Sequence, residues 1–110
     1  MKTKLIKIPI YGSELRVIIG TPAEATKEIK RYKTLGGDWS DLDVVRGKFI
    51  PCTHGVGIIY LRKYDAGVLI HEILHFTTYL MDCRGIVISY KNDEVMAYMI
   101  EYVFNEFRKR

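Results

Sequence analysis

The segment His71-Glu72-Ile73-Leu74-His75 constrains this chain more than any other, because it falls inside a helical apolar pattern running from Asp65 to about Met81. At about 100° per residue, Ala66, Leu69, Ile70, Ile73, Phe76, Thr77 and Leu80 gather on one broad side. His71 and His75 fall together on the other, with Glu72 beside them. Asp65 stands at the N-cap position, where a carboxylate accepts hydrogen bonds from free first-turn amides. Two imidazoles on consecutive turns can converge on one metal ion. A glutamate between them can take a proton from metal-bound water without itself being a ligand. The pattern therefore predicts one zinc ion held by His71 and His75, with Glu72 as general base.

A two-histidine zinc site needs a third protein ligand. The last helical pattern, capped by Asn92 or Asp93, carries Val95, Met96, Met99, Ile100, Val103 and Phe107 on its apolar side. Glu94, Tyr98, Glu101 and Asn105 form the opposite stripe. Glu94 is the expected third ligand, since the small Ala97 nearby lets two helices approach. Glu101, two turns on, is the alternative, or a carboxylate that orients a ligand histidine from behind; Asp82 is a further alternative. Tyr98 is the expected donor to a developing oxyanion, with Tyr79 and His54 as other candidates. His54, just before a strand, is also a candidate to approach the metal.

The first half of the chain reads as a small sheet with one helix. Leu5 to Ile10 and Leu15 to Ile19 suggest a hairpin around Tyr11-Gly12-Ser13. Thr21-Pro22-Ala23-Glu24 combines a cap, a proline at the first helical position and capping-box spacing. That helix is expected to run to about Thr34 and stop at Gly36-Gly37. Trp39 reads as a lid over the edge of the core. Val44 to Ile50 and Gly55 to Leu61 read as two more strands. Gly55 and Gly57 either admit a peptide to the backbone of an edge strand or mark a bulge. Ile86 to Tyr90 is a short strand or an extended connector.

A chain of 110 residues suits one domain, 1–110, with 48% hydrophobic and 27% charged residues. The net charge is +4 and Arg108-Lys109-Arg110 forms a basic end. No compact nucleic-acid motif accompanies it, so nucleic acid is not the expected partner. The two cysteines, Cys52 and Cys83, are too few for a disulfide scaffold. Lysines interrupt the opening segment, and no apolar run approaches the roughly 20 residues of a membrane span. The expected setting is cytoplasmic, away from membranes.

The His71-Glu72-Ile73-Leu74-His75 motif followed by Glu94 resembles the zincin superfamily in its gluzincin arrangement. With Asn92-Asp93-Glu94-Val95-Met96-Ala97-Tyr98, the chain from Gly67 to Tyr102 is similar to small zinc metallopeptidases of phages and prophages, and more distantly to ImmA/IrrE-type domains. The resemblance implies an α+β, minimal zincin-like fold: a twisted sheet with an N-terminal helix, a metal-binding helix and a C-terminal helix. It implies peptide-bond hydrolysis, with His71, His75 and Glu94 as ligands and Glu72 as base. Peptide or protein substrates, and phage assembly proteins, are the implied partners. The alternative is a catalytically silent, zinc-stabilised assembly protein.

Overall fold

A computed structural model describes residues 1–35 and 40–109. Strands β1 (Lys2–Ile8) and β2 (Ser13–Ile19) form the expected antiparallel hairpin, in register from Lys2 opposite Ile19 to Ile8 opposite Ser13. Gly12 closes the turn at φ 59, a left-handed conformation that glycine adopts without penalty. Helix α1 (Pro22–Ile29) starts as expected: Thr21 accepts from the Glu24 amide, and the Glu24 side chain accepts from the Thr21 amide. It ends at Ile29 rather than Thr34. Thr34 is instead drawn into an antiparallel bridge with Cys52, and helical φ/ψ are incompatible with that pairing. The expected stop at Gly36-Gly37 and the Trp39 lid lie outside the described residues.

A 3-10 turn at Ser40–Asp43 precedes β3 (Gly47–Pro51), and a second at Thr53–Gly55 leads into β4 (Gly57–Leu61). Helix α2 (Ala66–Cys83) follows, with Asp65 accepting from the Val68 amide. A connector without strand pairing, Ile86 to Tyr90, leads to α3 (Asp93–Arg108). Asn92 is its N-cap residue but makes no side-chain cap. Its side-chain oxygen turns back to accept from the Ser89 amide at 2.7 Å, and its amide group donates to the Val87 carbonyl.

The sheet order is β1-β2-β4-β3. β1–β2 and β4–β3 are antiparallel, while β2–β4 is parallel and is reached by way of α1 and β3. Parallel pairs need both faces covered, and all five residues of β4 are buried. On one face Ile18, Ile50, Ile58 and Tyr60 pack with Ala25 and Ile29 of α1 and with Leu42. On the other, Ile6, Leu15, Val17, Ile59 and Leu61 pack with α2 and α3. The result is a mixed α/β fold of three helices on a four-stranded sheet. The zincin-like assignment is corrected: among the described residues, no group of three or more His, Cys, Asp or Glu side chains can hold a metal ion.

Candidate binding cleft

Two glycines bring α2 close to the sheet. A Cβ at Gly57 would lie 2.7 Å from both Phe49 Cε1 and Phe76 Cδ1, and one at Gly47 would lie 2.6 Å from Val68 Cγ1. These spaces are filled by neighbouring side chains, so β3 and β4 press directly onto α2. The peptide-approach reading of Gly57 is thereby corrected: β4 is an internal strand with partners on both sides. Gly55 lies outside the strand, in the preceding turn, at φ 78.

Leu69, Ile73, Phe76 and Leu80 point into the core, as the helical phase predicts. Ile70 does not; it is 42% exposed. Glu72 goes the other way and is only 7% exposed. It forms the wall shared by two adjoining grooves along β3. One, of about 680 Å³, is also bordered by Val45, Phe49, His75, Tyr79 and Asp82. The other, of about 340 Å³, is bordered by Arg46, Val68 and His71. His71 and His75 are exposed, and their Nε2 atoms lie 3.2 Å apart. At that distance one ring nitrogen donates and the other accepts. Glu72 Oε2 is 3.9 Å from His71 Nε2.

The upper rim of the cleft is an edge strand. Arg62 N–H donates to Arg46 O at 3.1 Å, and Cys52 N–H to Val56 O at 2.8 Å. The even-numbered residues of β3 therefore face β4, and the backbone groups of Gly47 and Phe49 face outward, by the alternation of antiparallel ladders. The Pro51 end is covered: its carbonyl accepts from Leu35 N–H at 2.9 Å. Among the described residues, no strand partners Gly47 and Phe49.

Among the described residues no third ligand joins His71 and His75. Met96, Met99 and Val103 bury the inner side of α3, which leaves Glu94, Tyr98 and Glu101 exposed on its outer side. The Glu94 and Glu101 assignments are therefore corrected, and Tyr98, 66% exposed, has no oxyanion to meet. Asp82 borders the His75 groove but completes no metal-binding group. His54 sits at φ 63 in the turn before β4, beside a separate pocket with Tyr32 and Cys52. Tyr79 donates its hydroxyl to the Cys52 carbonyl. Burial first, and then the Cys83 thiol beside it, push that hydroxyl up to about 12. The donor set does not fit zinc, which wants at least three protein ligands. With it go the zinc cofactor, peptide-bond hydrolysis by Glu72 and metal-bound water, and the zinc-stabilised assembly alternative.

Sequence reasoning missed Val45, Phe49 and Thr78 as cleft residues. The period-2 pattern of β3 carried the signal for Phe49, since it shares a face with Gly47 and Pro51. Compared with protein-family models, curated proteins and solved structures, the chain matches none. The zincin resemblance thus has neither a metal site nor a relative behind it. The fold and the cleft define a mixed α/β domain with a groove of mixed polar and apolar lining between an edge strand and a helix. No helix among the described residues is long and apolar enough to cross a membrane.

Proposed function

We propose that the protein is a binding domain for an extended peptide or protein segment, which lies along β3 and over α2. The observation that carries this reading is the outward edge of Gly47 and Phe49 running beside Glu72, His71 and His75. Strand addition supplies main-chain hydrogen bonds, and alternate side chains of the added segment enter the flanking groove. His71 and His75 supply exposed donors and acceptors, Glu72 and Asp82 accept, and Phe49 and Val45 give apolar contact. The unpaired Cys52 and Cys83 support a reducing, cytoplasmic setting.

The test is selection of peptides from a random library with chelator present, followed by amide-shift mapping and backbone N-methylation of the best binder. Shifts at Gly47–Phe49 and His71–Tyr79, lost on N-methylation at alternate positions, are expected. Peptides that shift other surfaces, or that tolerate N-methylation throughout, would overturn the reading.

A further inference from the structure

A second cleft lies at the opposite edge of the sheet. Side chains of a strand alternate between faces, so Lys2 and Lys4 stand on the same face of β1 as the core residues Ile6 and Ile8. They lie opposite Ile19 and Val17 of β2. Where the apolar stripe should continue, the sheet thus places two ammonium groups next to two aliphatic side chains. The last turn of α3 closes over them: Lys4 donates to the Lys109 carbonyl, and Phe107 stacks on Tyr64 with centroids 5.8 Å apart.

A cavity of about 670 Å³ remains between β1, β2 and this turn. Its floor is Val17 and Ile19, one wall is the Tyr64–Phe107 stack, and its rim carries Lys2, Lys4, Arg108 and Lys109. Among the described residues, no acidic side chain lines it. Of the two carboxylates next to lining residues in sequence, Asp65 accepts from the Val68 amide, and Glu106 is paired with Lys109, which raises the Lys109 pKa.

Inward lysines on an edge strand commonly guard against strand pairing. That role requires neither a cavity nor cations from a second element, and both are present here. An apolar floor under a cationic rim, in a volume typical of small-ligand sites, is complementary to one kind of molecule.

We propose that this cleft binds an amphiphilic anion: an apolar body on Val17, Ile19 and the aromatic wall, with a phosphate, sulfate or carboxylate head among the rim cations. The site is separate from the β3 cleft, and the proposal does not depend on what that cleft binds.

The experiment is titration calorimetry of the full chain with dodecyl phosphate below its micelle concentration, with inorganic phosphate, dodecyltrimethylammonium and oligodeoxythymidine as further probes. Dodecyl phosphate is expected to bind at one per chain, at least tenfold tighter than the other three. It should shift the amides of Lys2–Lys4, Ile19 and Phe107. K2E combined with R108E should weaken it at least tenfold while circular dichroism and the melting temperature stay close to wild type. Tyr64→Ala, at a half-exposed wall position, is a second variant and should weaken it several-fold. Equal affinity for inorganic phosphate would remove the apolar half of the site. Equal affinity for the cationic detergent would remove the electrostatic half. Tighter binding of the oligonucleotide through the same residues would reassign the cleft to single-stranded nucleic acid. Each of these three results overturns the proposal.

Discussion

Gly57→Ala tests whether close packing of β4 on α2 shapes the β3 cleft. The backbone at Gly57 is not left-handed, so alanine carries no backbone strain there. Reducing the freedom of the unfolded chain should stabilise by about 0.4–1 kcal/mol. Against this, the new methyl would sit 2.7 Å from the rings of both Phe49 and Phe76. Rings are not flexible tips, and Phe76 is fully buried. Overpacking of this kind costs about 1–3 kcal/mol, and two simultaneous contacts place it toward the upper end. The net expectation is a loss of about 1–2 kcal/mol, or roughly 5–15 °C in melting temperature for a domain of this size. Phe49 is only partly buried and can yield, and it yields into the cleft it borders. Peptide affinity at β3 should therefore fall with stability. Gly67→Ala is the control: the nearest atom to its Cβ is Asp65 Oδ1 at an ordinary 3.4 Å, and the helix should gain up to about 1 kcal/mol. Thermal melts of both variants decide the matter. A Gly57→Ala protein as stable as wild type would show that the Phe49–Phe76 contact is slack and does not set the cleft.

Other outcomes follow from the same packing. Thr77 is fully buried and its hydroxyl has no partner among the described residues; Thr77→Val should stabilise by about 1 kcal/mol in urea unfolding, and a loss would show that the hydroxyl is satisfied. Excess zinc should raise the melting temperature little, because two imidazoles bind weakly without a third ligand, and none joins them among the described residues. A ligand at 1,000 times its Kd stabilises by about 4.1 kcal/mol, and at its Kd by only about 0.4. A large rise abolished by Glu94→Ala would restore the ligand set rejected here. Cys83 is exposed and Cys52 buried, with burial pushing the Cys52 thiol up to about 11; a thiol reagent should label one cysteine quickly and the other only on unfolding. The unfolded thiol ionises near 9 while the folded one stays protonated to about 11. Stability present below pH 9 should therefore decline between those values by at most about 3 kcal/mol. A Cys52→Ala protein with the same alkaline decline would contradict this.

Local chemistry made the elements legible. The Thr21 capping box, the Asp65 cap and the alternation of β1 and β2 all lie within a few residues of the features they determine. Long-range pairing was less so: α1 stops early because Thr34 meets Cys52, eighteen residues away by position, and no local pattern announces that bridge. Helical phase placed His71 and His75 correctly on the exposed side of α2. It also placed Glu94, Tyr98 and Glu101 on one stripe of α3, opposite the apolar side. The error lay in asking that stripe to meet α2. The apolar sides are what two packed helices bury against each other and the sheet, so a stripe opposite the buried side goes to solvent.

The two clefts can be compared through the sheet that separates them. α2 lies against β3 and α3 against β1, and these are the two edge strands. The chain closes the middle of its sheet with helices on both faces and leaves chemistry at its margins. At β3 the margin offers backbone groups, imidazoles and carboxylates beside Val45 and Phe49, which suits an extended partner with both polar and apolar side chains. At β1 the inward lysines occupy the face where a further apolar pair would sit, and the α3 end adds cations over an aliphatic floor. The intervening β2 and β4 are packed on both faces, and substitutions without shared partners act additively. Lys2→Glu should therefore leave peptide affinity at β3 unchanged, and His75→Ala should leave amphiphile affinity at β1 unchanged. If either variant moved both affinities by more than about twofold, with the melting temperature constant, the two clefts would belong to one site or one coupled equilibrium.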